Sequence, residues 1–139
     1  MANAIDISTS GLVAQRTRLN TIASNIANVS TTRDVNGNPN PYVRKRAIFQ
    51  VGMPGGQGEG VRVAAINEDT PGTPGTEPFR IKYEPGHVDA DAQGYVRYPN
   101  VDLTRELVNA LEAARAYEAN VQAVEAAKTI NTQVSRLLE

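Results

Sequence analysis

The chain has 139 residues with no tryptophan, two phenylalanines and five tyrosines, so its length suits one domain while its composition supports only a modest core. A net charge of −1 supplies no global field that would draw it to nucleic acid or an anionic bilayer. There is no cysteine for disulfides or thiolate metal sites, no apolar run of the ~18 residues that read as a membrane span, and no visible cleaved secretory signal.

In chain order, Ile5, Leu12, Leu19 and Ile26 recur every seven residues, with Ile22 and Val29 three after the last two. This heptad pattern predicts a helix over residues 3–29, weakened at Gly11 by about 1 kcal/mol relative to alanine. The middle, residues 34–100, holds all eight prolines and ten of the eleven glycines. Strands are expected at 42–51, 60–66, 79–84 and 94–98, joined by loops at 53–60 and 67–78. The third alternates, with Phe79, Ile81 and Tyr83 on one face and Arg80, Lys82 and Glu84 on the other.

The C-terminal segment predicts a helix over 102–138, about 55 Å long at 1.5 Å per residue. Leu103, Leu107, Ala110, Ala114, Tyr117, Val121 and Val124 alternate spacings of four and three. The pattern resumes at Ala127, Ile130, Val134 and Leu137 after an extra three-residue step. Alanine all around this helix suggests burial on more than one face. The expected fold is mainly α with a small β insert. Its long terminal helices pair as an antiparallel coiled-coil-like hairpin (residues 1–33 plus 101–139), and residues 34–100 form a β-hairpin and loop insert. The helices either close the core of a monomer or, as the alanines favour, pack against neighbouring chains.

Little here supports catalysis. His87, the only histidine, sits in a Pro85-Gly86-His87 turn signal without partners for zinc. Asp89-Ala-Asp91-Ala-Gln93-Gly94 opens like a calcium loop, but Arg97 and Asn100 occupy its ninth and twelfth positions, so a turn is the better reading. The glycine-rich 55–60 stretch lacks a following Lys-Ser/Thr and helix, and reads as a loop. Arg44-Lys45-Arg46 reads as solvated charge on an edge strand. No catalytic, cofactor-binding or metal-ligating residue is assigned.

Several motifs together resemble a known family. Ala23-Ser24-Asn25-Ile26-Ala27-Asn28 is similar to the N-terminal signature of bacterial flagellar rod and hook proteins. Tyr42 within Pro41–Arg46, Tyr83-Glu84-Pro85-Gly86-His87, Asp91, Gly94-Tyr95-Val96 and Pro99-Asn100-Val101-Asp102 resemble its proximal-rod members. So do Glu106-Leu107-Val108-Asn109 and Arg115-Ala116-Tyr117-Glu118-Ala119-Asn120.

The resemblance implies a structural subunit, not an enzyme, and no cofactor. It would polymerise with itself and other rod proteins through Ile5, Leu12, Leu19, Ile22, Ile26, Leu103, Leu107, Ala114, Tyr117, Val121 and Val124. Such a subunit carries torque across the periplasm and meets a basal-body adaptor and the inner-membrane ring. It leaves the cell through the flagellar type III export apparatus without a cleaved signal, and neither binds nucleic acid nor inserts in the membrane. A soluble helical-hairpin adaptor or chaperone, and the neighbouring proximal-rod protein, are the alternatives.

Overall fold

The computed structural model describes residues 4–52, 58–72, 75 and 77–137. Its elements run α1 (Ala4–Ala27), β1 (Lys45–Val51), β2 (Val61–Glu68), β3 (Phe79–Tyr83), β4 (Tyr95–Pro99) and α2 (Leu103–Leu137). This is a mainly helical chain with two small β-hairpins, as the periodicities lead one to expect. Parts of the expected 53–60 and 67–78 loops lie outside the described residues.

Both helices stop and start for local reasons. α1 ends where Asn28 turns its side-chain amide back onto the Ser24 carbonyl at 2.9 Å and the Thr31 amide bonds to the Asn28 carbonyl. The α2 start is capped by Asp102, whose Oδ1 accepts the Thr104 and Arg105 amides at 2.9 and 3.2 Å. A carboxylate there satisfies orphan amides and faces the positive end of the helix dipole. No glycine or proline then interrupts the 35 residues of α2. Its hydroxyls at Thr129, Thr132 and Ser135 bond to carbonyls four residues back, so they need no other partner.

β1 and β2 form one two-stranded sheet and β3 and β4 another. The second is antiparallel, with Phe79 opposite Pro99, Ile81 opposite Arg97 and Tyr83 opposite Tyr95. Its long turn is built by Asp91, whose Oδ1 accepts the Gln93 and Tyr95 amides at 2.9 and 2.8 Å. Gly94 follows at φ 84°, and a Cβ there would stand 2.9 Å from Tyr83 Cε2. The acidic stretch is therefore a turn device.

The chain divides into two compact units. One comprises Met1–Asn20, Ala47–Ala65 and Ala110–Glu139. Its buried hydrophobics are Ala14 and Ala113. The other comprises Thr21–Arg46 and Ile66–Asn109. Its buried set includes Ile22, Val96 and Val101, together with the polar Thr21, Asn25, Asp69 and Glu106.

One expectation changes, and two faces gain definition. On α2 the fully covered positions are Glu106 and Ala113, whereas Leu103 and Leu107 remain 47 and 51% exposed. Seven residues separate Glu106 from Ala113, so the covered face keeps the heptad repeat but is rotated from the row of leucines. The helix turns this way because the Glu106 carboxylate has cationic and amide partners inside, described below. On β3 the apolar face is the open one, with Ile81 and Tyr83 69 and 62% exposed; the covered side chain of this hairpin is Val96, opposite Lys82. Arg44 is not a solvated edge charge but a partner of two buried carboxylates, and Arg46, though exposed, pairs with one of them.

Candidate functional site

In the Thr21–Arg46 and Ile66–Asn109 unit, Asn25 and Glu106 are each only 1% exposed, so every polar atom on them requires a partner. Asn25 behaves like one residue of a strand. Its Nδ2 donates to the Lys45 carbonyl at 2.8 Å, and its Oδ1 accepts the Lys45 amide at 2.9 Å. The Tyr42 hydroxyl also donates to that Oδ1, at 3.0 Å. The same Nδ2 lies 3.2 Å from Glu106 Oε2. The other Glu106 oxygen takes Arg44, with Nη2 at 2.6 Å and Nε at 2.8 Å.

Arg44 continues to a second buried carboxylate. Its Nη1 is 3.6 Å from Asp69 Oδ2, while Arg46 Nε approaches Asp69 Oδ1 to 2.9 Å. The latter is a charge contact off hydrogen-bonding geometry, which leaves Asp69 Oδ1 without a hydrogen bond. The Asp69 amide bonds to the Arg44 carbonyl at 3.0 Å. An uncompensated buried charge costs several kcal/mol, so the members of such a cluster hold one another in place. Arg44, Asp69, Gly75, Asn100, Asp102 and Arg105 line a polar recess of about 230 Å³ beside it. Two arginines and two aspartates face it.

A second knot in this unit centres on Asp89, whose side chain is nearly covered. Arg33 Nε reaches both its oxygens, at 2.8 and 3.0 Å, and the Thr32 hydroxyl donates to Oδ2 at 2.8 Å. The Arg33 guanidinium, helped by Thr32, holds the Asp89 carboxyl below the usual carboxylate range, and Asp89 raises Arg33 in return. His87 Nδ1 accepts the Asp89 amide at 3.0 Å, a turn role rather than a ligand's. Nearby, Lys82 and then the Tyr98 hydroxyl hold Glu84 low, and Glu84 raises Tyr98. These bonds join the segment after α1 to the β3–β4 turn.

In the other unit two approaches between α1 and α2 stand out. Gly11 lies so near Asn120 that a Cβ would meet its Oδ1 at 2.8 Å, and Arg18 Nη2 pairs with Glu112 Oε2 at 3.3 Å. The Ser10 hydroxyl also accepts the Val61 amide at 3.0 Å.

The motif residues thus have structural work. Asn25, Tyr42, Asp91, Gly94 and Asp102 act as described. Asn28 closes α1, Asn100 donates from Nδ2 to the Glu77 carbonyl at 2.8 Å, and Val101 is buried. Asn120 donates to the Ala116 carbonyl beside Gly11, with Tyr117 half-buried; Ala27, Pro85 and Gly86 are exposed. Of the helix positions, Ile22 is buried. Ile5, Leu12, Leu19, Ile26, Ala114, Tyr117, Val121 and Val124 are half-buried. The sequence names Arg44 only in a basic triplet and a family motif and Glu106 only in a family motif, and offers no signal for Asp69.

Each of these clusters ties one segment of the chain to another, and among the described residues no group of three metal-capable side chains forms. Residues 5–33 match the family model for the flagella basal body rod protein, and residues 92–137 that for the C-terminal region of flagellar basal body rod FlgEFG proteins. The chain is therefore a structural protein of the flagellar basal-body rod.

Full-length relatives are more specific. A flagellar basal-body rod protein FlgC from Yersinia enterocolitica is 44% identical over 94% of this chain and 92% of its own. Those of Borreliella burgdorferi and Bacillus subtilis are each 38% identical, covering 99 and 91% of this chain and 97 and 90% of theirs. The chain belongs to the FlgC family of flagellar basal-body rod proteins.

Proposed function

We propose that the chain builds the proximal part of the rod by polymerising through its terminal helices, paired as an antiparallel coiled-coil-like hairpin, and so carries torque across the periplasm for motility. The observation that carries this reading is the amount of apolar side chain α2 leaves open. Leu103, Leu107, Val108, Leu111, Ile130, Val134 and Leu137 are all exposed, more than a lone soluble helix normally displays. The order of contacts supports the hairpin: Gly11 meets Asn120 and the later Arg18 meets the earlier Glu112.

In this reading residues 1–33 and 101–139 make the helical core of the rod, with residues 34–100 as its insert. Ile5, Leu12, Leu19, Ile22, Ile26, Leu103, Leu107, Ala114, Tyr117, Val121 and Val124 pack within and between copies. Other rod proteins, the basal-body adaptor and the inner-membrane ring are its partners, and the flagellar type III apparatus exports it without a cleaved signal. Long helices packed side by side supply stiffness. Val121→Asp places a charge in that packing. It should abolish rod assembly and swimming while leaving export intact; a strain that swims normally would overturn the reading.

A further inference from the structure

Two open apolar surfaces of this chain carry opposite charge. On the β3–β4 hairpin, Ile81 pairs with Arg97 and Tyr83 with Tyr95 across the strands, which sets these four side chains on one face. Ile81, Tyr83 and Tyr95 are 69, 62 and 45% exposed. The two tyrosine rings meet edge to face at 5.3 Å, and the Arg97 guanidinium lies 5.5 Å over the Phe79 ring. Neither strand contains a carboxylate. The face is aromatic, preorganised and cationic, and a two-stranded sheet of this size needs cover to be stable.

On α2, Leu111 is 61% exposed and stands about 160° around the helix from the covered Ala113. The same row continues at heptad spacing from Leu111 to the exposed Glu118 and Glu125. Arg115 stands at its edge, flanked by Glu112 and Glu118. The row is apolar at its beginning and anionic beyond. The two surfaces are also similar in length: about 13 Å from Phe79 to Tyr83 at strand rise, and about 10 Å from Leu111 to Glu118 at helix rise.

We propose that the Ile81–Tyr83–Tyr95–Arg97 face of one copy seats on the Leu111–Glu118 row of the next. The tyrosines and Ile81 cover Leu111, and Arg97 pairs with Glu118. Two different patches make this contact heterologous, so it repeats from copy to copy and generates a helical stack rather than a closed dimer. It rests on the polymerising role proposed above and adds a second contact, sheet on helix, outside the pairing of the terminal helices.

The chain has no cysteine, so introduced thiols report without background. Basal bodies are isolated from cells expressing Tyr83→Cys and Leu111→Cys chains together, and separately Ile81→Cys and Leu111→Cys chains together, then mildly oxidised. At least one pair should give disulfide-linked dimers of this chain at tenfold or more the yield of either variant alone. Dimers formed between two Tyr83→Cys copies, adducts with a different protein, or no dimer from either pair overturn the proposal.

The charges supply an independent readout. Arg97→Glu and Glu118→Arg should each lower swimming speed at least twofold, and the double exchange should restore most of it. Normal swimming in both single variants, or a double variant no better than either, overturns the sheet-on-helix contact. These exchanges lie off the terminal-helix packing, so that result leaves the polymerising role intact, whereas normal swimming by Val121→Asp removes that role itself.

Discussion

Gly11 and Asn120 are in such close approach that a methyl group on the glycine would meet Oδ1, Cγ and Nδ2 of the asparagine at 2.8, 3.0 and 3.0 Å. The glycine sits inside α1, where alanine would be favoured by about 1 kcal/mol, so its presence reflects the crossing rather than the helix. Asn120 cannot simply swing aside, because its Nδ2 is bonded to the Ala116 carbonyl at 2.8 Å. Gly11→Ala alone should therefore be neutral or destabilising. In an Asn120→Ala background the same change should stabilise by about 0.5–1 kcal/mol, measured by denaturant unfolding of the purified chain. Stabilisation by Gly11→Ala in the unaltered chain would show that the two residues are not in contact.

Glu106 and Arg44 are 62 residues apart in sequence and joined at 2.6 and 2.8 Å. Removing either partner leaves the other charge buried, and each of Glu106→Ala and Arg44→Ala should cost about 3–5 kcal/mol. The double variant should cost clearly less than the two together, because neither charge is then stranded. Additive losses in chemical denaturation would contradict the pairing.

Much of this was legible in the sequence. The two helices show in their heptads, and the elements of the middle show in its glycines, prolines and alternating runs. The Asp91–Gly94 turn was legible for the same reason: a turn is made by residues close in sequence. What stayed hidden is long-range. Glu106 read as one more charge on α2, and Arg44 and Arg46 as a basic triplet, because nothing local tells that two carboxylates lie opposite them. The open face of β3 was equally out of reach: Phe79, Ile81 and Tyr83 mark an apolar face, but periodicity does not say what covers it.

Asn25 uses both halves of its amide, donating to the Lys45 carbonyl and Glu106 and accepting from the Lys45 amide and Tyr42. Asn25→Ala orphans the buried Lys45 pair and should cost about 2–5 kcal/mol. Asn25→Asp keeps the shape but cannot donate, and sets a second carboxylate against Glu106. It should therefore be at least as damaging at neutral pH as Asn25→Ala. Equilibrium unfolding of both variants decides the matter; an aspartate variant as stable as the parent would mean that shape alone is required.

The carboxylates outside that cluster predict the response to acid. Asp89 is lowered by Arg33 and Thr32, Glu84 by Lys82 and Tyr98, and Asp34 by the amides of its own turn, Asn38 first. A carboxyl whose folded pKa lies below its unfolded value of about 4 binds fewer protons when folded. Its contribution is present above that value and lost as pH falls through the folded pKa. The unit formed by Thr21–Arg46 and Ile66–Asn109 should therefore lose stability as pH falls below about 4. Asp89→Asn removes one titrating group along with its ion pair to Arg33. That variant should be less stable at pH 7 and show a shallower acid loss than the parent. The check is the unfolding midpoint measured from pH 7 to pH 2.5; parallel curves for parent and variant would show that Asp89 carries no part of the acid response.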